Sequence, residues 1–362
     1  MKTILVVGTG TIGEPLIGLL AVLKSRLGID EVMFYKRTPL VDEVAKVNSL
    51  CQKGAKLVVT DSEIATKFEA LGHEVSMNFF EALEIADVVI DCTPAGNMNK
   101  EAFYTSISDS RVQRTGKKPY FIAQGSEKGF GTPYAYGIND CIFDDNGGSN
   151  FIQVVSCNTH NIACLIKSIV DENELARGDF TCIRRANDVS QKGNFIASPS
   201  VGNHDIMKFG THHAQDVCDL FETMGEEVHI FSSAMKTNSQ YMHVIRFSIG
   251  IRGDVTHDDV LNKLNANKFI ALTHKTCANQ IFSFGRDHGY YGRIYNQGVL
   301  SIPTLHVTKG RSRTKTHVTG FCFTPQDGNS LLSSVAATLY GIHGKQYREY
   351  THVLDDLLFQ AI

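Results

Sequence analysis

Short apolar runs recur along the first half of the chain, at residues 3–7, 31–35, 55–59, 86–90 and 120–123. Segments with helical spacing or turn residues separate them. The first is 14–24, where Pro15 falls in the opening turn, a position that tolerates its missing N–H. Strands alternating with helices predict a parallel, doubly wound sheet with near-continuous apolar strands.

The pattern changes after residue 156. A strand over 151–156 leads straight into Cys157, and a helix is predicted from 158 to 174. Segments of alternating polarity follow at 180–184, 227–232, 242–249 and 318–323. Alternation fits a sheet with one buried face, antiparallel or mixed. The polar stretches 144–150 and 309–315 read as loops. Two helices, 330–340 and 351–360, close the chain. The expected fold class is α/β: an N-terminal Rossmann domain plus an α+β catalytic domain with a mostly antiparallel or mixed sheet. The expected boundaries are 1–156 with 324–362 for the first domain and 157–323 for the second, catalytic and oligomerisation, domain.

Composition narrows the function. The chain has 362 residues, 43% hydrophobic and 20% charged, enough to bury two cores. Lys plus Arg number 35 against 38 Asp plus Glu, a net charge of -3, so no basic field for nucleic acid is present. No apolar stretch is long enough to span a bilayer. The opening MKTILVVGTG reads as a strand running into glycines and not as a signal peptide. Nine cysteines, an odd count without a C-x-x-C pair, fit reduced thiols in a cytoplasmic setting, with neither a disulfide framework nor a metal site.

Gly8-Thr9-Gly10-Thr11-Ile12-Gly13 follows the first strand and opens the first helix with the spacing G-x-G-x-x-G. Gly8 permits a tight turn, Gly10 clears the approach of a pyrophosphate, and Gly13 lets helix and strand pack closely. The helix N-terminus then offers N–H donors to the phosphates. The plain alternative is a strand-to-helix turn that merely favours glycine. An NAD site usually carries an acid at the end of the second strand, for the ribose 2′-hydroxyl. Here Lys36 and Arg37 follow that strand. They suit the 2′-phosphate of NADP, or form an exposed basic turn. NADP is the favoured cofactor, with NAD as a second.

Val154-Val155-Ser156-Cys157-Asn158-Thr159 delivers a cysteine to a helix start. A thiolate there is favoured and can attack a carbonyl, with backbone N–H groups holding the oxyanion. The alternative is a buried structural cysteine. Paired with a nicotinamide site, a nucleophilic cysteine implies aldehyde oxidation through a thioester. Such chemistry needs a base. His212-His213, read as lying in a loop, and His243, on an apolar strand, are the candidates, although a histidine on such a strand is often a satisfied core residue. Arg184-Arg185 end a strand and suit either phosphate or solvent.

These pieces resemble the archaeal-type, type II NAD(P)-dependent phosphorylating glyceraldehyde-3-phosphate dehydrogenases. In matching order they are Gly10-Thr11-Ile12-Gly13, Asp91-Cys92-Thr93-Pro94, Gln124-Gly125-Ser126-Glu127-Lys128, Ser156-Cys157-Asn158-Thr159, Arg184-Arg185-Ala186, Thr211-His212-His213-Ala214, Met242-His243 and Pro325-Gln326-Asp327. The resemblance implies Cys157 as nucleophile and His243 as candidate general base. It implies Asn158, Thr159, Arg185, His212, His213 and Ala214 around the small-molecule substrate and inorganic phosphate. Thr11, Ile12, Ser126, Arg185 and Gln326 would touch the dinucleotide, and the assembly would be a homotetramer. Three departures bear on the substrate: His160-Asn161 replace a Thr-Gly or Thr-Ala pair, Cys164 stands near the family's arginine with Lys167 one turn on, and Ile245 replaces a second histidine. The competing readings are a related aldehyde or acyl-phosphate reductase of the semialdehyde dehydrogenase type, and a dinucleotide-binding protein without catalysis.

Overall fold

A computed structural model describes residues 1–125, 127–144, 148–171, 174–188, 193, 195–310, 314–326 and 328–362. The chain divides into two compact units: 1–134 with 143–154 and 333–353, and 135–142 with 155–332 and 354–362. Against the boundaries expected from sequence, 135–142, 155–156, 324–332 and 354–362 pack in the second unit. No described helix is long and apolar enough to cross a membrane.

The first unit holds β1 (Thr3–Val7), β2 (Glu31–Tyr35), β3 (Lys56–Val59), β4 (Val75–Asn78), β5 (Val88–Asp91), β6 (Tyr120–Gln124), β7 (Thr132–Tyr134) and β8 (Phe151–Val154). They form one sheet in the order β4-β3-β2-β1-β5-β6-β8-β7, parallel at every pairing. A sheet buried on both faces needs apolar residues on both, and all five residues of β1 and all four of β5 are buried. Leu5, Val7, Met33, Val89, Tyr104 and Phe121 sit in one core cluster. The chain winds outward from β1 in both directions, so the crevice beyond β1 and β5 lies where strand order reverses, the usual ligand position in such sheets.

The second unit holds β9 (Leu175–Arg184), β10 (Ser200–Val201), β11 (Ile230–Lys236), β12 (His243–Ile251), β13 (Ile270–Thr273), β14 (Gly298–Ser301), β15 (His306–Lys309) and β16 (Thr316–Thr324). The order is β10-β11-β9-β12-β16-β14-β13, with β15 beside β16. β9 is parallel to β11 and antiparallel to β12, so the sheet is mixed. On β12, Ile245, Phe247 and Ile249 are fully buried while Arg246 between them is exposed, as the alternation predicted. Two helices cover the buried face. Asn161, on the helix Cys157–Ile169, donates to Thr324 Oγ1 at 2.8 Å. The Ala214 N–H, on the helix His212–Glu222, donates to Ser232 Oγ at 3.0 Å.

Two local expectations change. The cysteine helix ends at Ile169, where Val170 turns extended and passes the chain on towards β9, which begins at Leu175. The β11 strand is displaced toward the C-terminus, to Lys236, because pairing with β9 decides its extent where FSSAMK carries no clear alternation.

Candidate active site

In the first unit the glycine loop is shaped by close approach. Gly8 has φ +95, and its N–H donates to Tyr35 O at 3.1 Å. A β-carbon on Gly13 would lie 2.1 Å from the Gly8 carbonyl oxygen, so only glycine fits. Gly10 is exposed, and its missing β-carbon would meet no atom within 4 Å. The helix Gly13–Leu23 starts at Ile12 without a side-chain cap, so its first turn offers N–H donors and partial positive charge to an anion. Thr11 and Ile12 are half-buried on the loop. At the end of β5, Asp91 is fully buried and accepts from Thr93 N, Thr93 Oγ1, Asn99 Nδ2 and Tyr104 OH, at 2.6 to 2.8 Å. That fixes the Thr93 turn beside the loop, where the Thr93 methyl would be 3.0 Å from a β-carbon on Gly8.

Lys36 and Arg37 do not stand alike. Lys36 is 7% exposed and ion-paired with Glu43. Glu43 also accepts from Lys46 at 2.6 Å, and Lys46 reaches the Thr9 carbonyl in the loop at 3.3 Å. Burial pushes the Glu43 carboxyl up, but the two lysines outweigh it and hold it below its ordinary value. An acid does therefore accompany this strand tip, brought there by the turn Val41–Glu43. Arg37 is exposed. Ser126 lies outside the described residues.

In the second unit Cys157 is the first residue of its helix and is half-buried. Ser156 caps the helix, its Oγ accepting from Thr159 N at 3.4 Å and sharing a 2.8 Å bond with Thr159 Oγ1. Asn329 Nδ2 donates to the Cys157 carbonyl at 2.9 Å and to Gln297 O at 3.1 Å, pinning the nucleophile's main chain. Nothing in the sequence pointed to Asn329. Asn158 and Thr159 are buried, and Asn158 Oδ1 has no partner among the described residues.

His243 opens β12 and is 4% exposed. Its Nδ1 accepts from the Arg185 N–H at 2.9 Å. Burial, with Arg185, Arg184 and His213 nearby, pushes its pKa down to about 3. The ring is thus neutral at pH 7 and carries its proton on Nε2. His213 is also buried and pushed down to about 3, by burial and then by His212 and Arg184. Neither His213 nitrogen has a partner among the described residues. His212 and His213 open a helix instead of lying in a loop, because extended Thr211 serves as its N-cap. His212 is exposed and lies against His213, the rings tilted by 47° with centroids 4.0 Å apart.

Arg185 is buried, bonded to Asp188 at 2.8 Å and directed at Tyr241 O at 3.5 Å. Gln326 donates to the same Asp188 oxygen at 3.3 Å, so Asp188 brings these two together. Ala214 is fully buried with its N–H engaged by Ser232. Lys167 pairs with Glu226 at 2.8 Å, and Cys164 is buried beside Asn267 and Ser168. Arg184 acts electrostatically on His213, His243 and Cys182, and Cys157 acts on Cys182. On the sheet itself, Ile245 pairs with Cys182, which sets His243 and Arg184 toward the same end of β12 and β9.

No family model matches the chain. It is 30% identical over 266 residues to the glyceraldehyde-3-phosphate dehydrogenase of Sulfolobus acidocaldarius, covering 70% of this chain and 71% of that protein. It is 26% identical over 264 residues to the protein of that name from Methanocaldococcus jannaschii, covering 71% and 73%. Against the one from Methanobacterium formicicum it is 27% identical over 276 residues, covering 75% and 74%.

Proposed function

The chain belongs to the family of archaeal glyceraldehyde-3-phosphate dehydrogenases, and from that premise we propose that it oxidises glyceraldehyde 3-phosphate. Phosphate and a nicotinamide dinucleotide are the co-substrates, and 1,3-bisphosphoglycerate is the product. The observation that carries this reading is Cys157, half-buried at a helix start with its carbonyl held by Asn329, in a unit that also keeps His213 and His243 buried and neutral.

The glycine loop fits a dinucleotide: the Gly10 side is open, and the helix start is free of a side-chain cap. When bound, the dinucleotide supplies the hydride acceptor. Gly8, Gly10, Thr11, Ile12 and Gly13 are assigned to its pyrophosphate. Arg37 is assigned to a 2′-phosphate, which favours NADP over NAD.

Cys157 sulfur, as thiolate, forms a bond to the aldehyde carbon while the carbonyl π pair moves onto oxygen. The thiol proton has gone to solvent. The helix dipole favours negative charge at this end. The resemblance implies His243 as base; because its Nδ1 already accepts from the Arg185 N–H, we assign its Nε2–H instead as a donor to the oxyanion, and the pH profile of a His243 variant separates the two roles. Loss of hydride from that carbon leaves the thioester. A phosphate oxygen then bonds to the acyl carbon, the C–S bond breaks, and thiolate returns. Asn158 and Thr159 line the acyl site, with His212 and His213 toward phosphate. The exposure of Phe195, Val201 and Met207, at 91%, 83% and 96%, supports self-association; a homotetramer is what the resemblance implies, and sizing in solution tests it.

Reduced nicotinamide, followed by absorbance with glyceraldehyde 3-phosphate and each cofactor, tests the reaction. Continuous turnover is expected with phosphate, and a single burst without it. Turnover confined to unphosphorylated aldehydes or semialdehydes would overturn the substrate, and no aldehyde-dependent reduction would overturn the reaction.

A further inference from the structure

Asn161 stands one turn after Cys157 on the helix Cys157–Ile169, at a position where the resemblance implies Gly or Ala. Such a replacement was expected to bear on the substrate. Its side chain is instead fully buried and reaches the second sheet. The Nδ2 group donates to Thr324 Oγ1 at 2.8 Å and to the Phe323 carbonyl at 3.3 Å. Those are the last two residues of β16, and in the antiparallel pairing with β12 they stand opposite His243 and Val244. Directly opposed residues project to one face, with Cα atoms roughly 5 Å apart. Thr324 therefore shares with His243 the face that the cysteine helix covers. One side chain connects that helix to the strand pair that carries His243.

The chain beyond β16 holds the same helix a second time. Asn329, 1% exposed, donates to the Cys157 carbonyl at 2.9 Å. Gly298, which opens β14, leaves room for the Asn161 amide, because a β-carbon there would lie 2.9 Å from Asn161 Oδ1. That oxygen has no partner among the described residues. A buried amide with an unsatisfied oxygen costs stability, so it is a poor device for stability alone. Sequences break such local rules where a site needs them to. The two bonds that Asn161 does make fall on the strand end opposite His243.

We propose that Asn161, acting through Thr324, is a positioning residue that sets the Cys157 sulfur against the Nε2–H of His243 in the reaction described above. The inference rests on that reading of Cys157 and His243. Cys157 and His243 do the chemistry, and Asn161 fixes the relation between the helix and the strand that bring them. Its loss should misplace the two groups without emptying the acyl site. A displacement of about 1 Å between reacting groups can cost 10²-fold in rate.

The test uses Asn161→Ala, Thr324→Val, their double variant and Thr324→Ser in the full chain, with the unfolding midpoint measured for each. Asn161→Ala and Thr324→Val should each lower kcat by about 10- to 100-fold and leave KM for glyceraldehyde 3-phosphate within about twofold of the parent. The double variant should match the slower single within about threefold, because both remove one link. Thr324→Ser keeps the hydroxyl, and its kcat should lie within about threefold of the parent. A merely structural bond would lower the midpoint and leave kcat per reactive Cys157 unchanged, and that result overturns the proposal. Single losses that multiply in the double variant, or a Thr324→Ser as slow as Thr324→Val, overturn it too. Should Asn161→Ala not fold, Thr324→Val decides, since it removes the hydroxyl and nearly keeps the shape. If neither folds, the link serves the fold, and the proposal fails. If the parent does not oxidise glyceraldehyde 3-phosphate at all, the functional reading fails instead. Alkylation of Cys157 by iodoacetamide at pH 7 without substrate, read from the mass of its peptide, then judges the link. A rate about fivefold or more slower in Thr324→Val and restored in Thr324→Ser sustains it, because the thiolate has lost its donor. A smaller slowing, or a faster rate, overturns it.

Discussion

The glycine loop of the first unit is made by what its residues lack, and the cysteine cluster of the second by what its residues bring together. A β-carbon at Gly13 would collide with the Gly8 carbonyl at 2.1 Å, and the loop's donors are main-chain N–H groups at one helix start. Six consecutive residues hold all of this. In the second unit, Cys157 comes from one helix, His213 from another, His243 from β12 and Arg184 from β9. The register of a mixed sheet sets His243 and Arg184 toward one end, and two helices packed on that sheet carry the other two. A backbone site tolerates changes that leave the main chain in place. A convergent side-chain site concentrates its chemistry on single atoms, so single substitutions should cost it far more.

The largest effect therefore belongs to Cys157→Ala, which should lower turnover by about 10⁴-fold or more while leaving dinucleotide binding intact. Single-turnover hydride transfer and cofactor titration measure the two separately. Substantial turnover in this variant would break the contrast, because the second site would then not depend on one atom.

His243 comes next. As a donor to the oxyanion it acts where charge develops, so His243→Ala should lower kcat by about 10²- to 10³-fold with little change in KM. Because its pKa lies near 3, its loss should leave the acid limb of the kcat profile between pH 5 and 7 where it was. A shift of that limb in the variant would restore the role of base.

How much of this could be read from the chain follows from the same contrast. β1 and β2 were legible to the residue because a parallel strand buried on both faces writes a continuous apolar run. The glycine spacing was legible because it is local. Cys157 and His243 stood out by residue type and by resemblance. Asn329, Glu43 and Asp188 carried no sequence signal, since each acquires its meaning from a partner that the pattern does not point to: Cys157 and Gln326 far along the chain, and Lys36 across the turn Val41–Glu43. His213 was named, but its helical position depends on Thr211 turning extended, which composition does not reveal.

The two units should also part company in acid. The second holds His160, His213 and His243 buried and neutral, pushed down to about 4, 3 and 3. In the unfolded chain each titrates near 6.5. Between those values the unfolded state binds more protons, so stability falls as pH drops below about 6.5 and levels off near 3. His160 alone should cost roughly 3 kcal/mol at pH 4. The first unit's His73 and His343 are lowered more mildly. Hydrogen exchange at pH 4.5 should show the helix Cys157–Ile169 opening before β1 and β5, and the reverse order would contradict the assignment.

Within the glycine loop the contrast sharpens between neighbours. Gly13→Ala meets main chain and should destabilise the first unit by about 2–3 kcal/mol, seen as a lower unfolding midpoint. Gly10→Ala meets nothing in the protein. It should leave the midpoint nearly unchanged and raise the cofactor Kd by about tenfold, because its methyl stands where the pyrophosphate approaches. Equal effects on stability would mean that Gly10 serves the turn and not the ligand.

The smallest effect tests whether the first unit, too, uses side chains for choice. Lys36 is held by Glu43, which also holds Lys46, so two of the three cations around the strand tip are already neutralised in part. Arg37 is the exposed one. Arg37→Gln should then weaken NADP relative to NAD by about tenfold, the loss of one charge-assisted contact. Lys36→Met should change that ratio less, since its charge already has a partner. Glu43→Gln should act in the opposite sense. It frees Lys36 and leaves Lys46 with only the Glu14 carboxylate at 3.7 Å among the described residues, and should shift preference toward NADP by a few fold, an effect that fades in high salt because the contacts are partly screened. Titration of each variant with both cofactors decides the matter. If Glu43→Gln weakens NAD alone by a large factor, Glu43 is itself the acid that takes the ribose 2′-hydroxyl, and the cofactor assignment turns toward NAD.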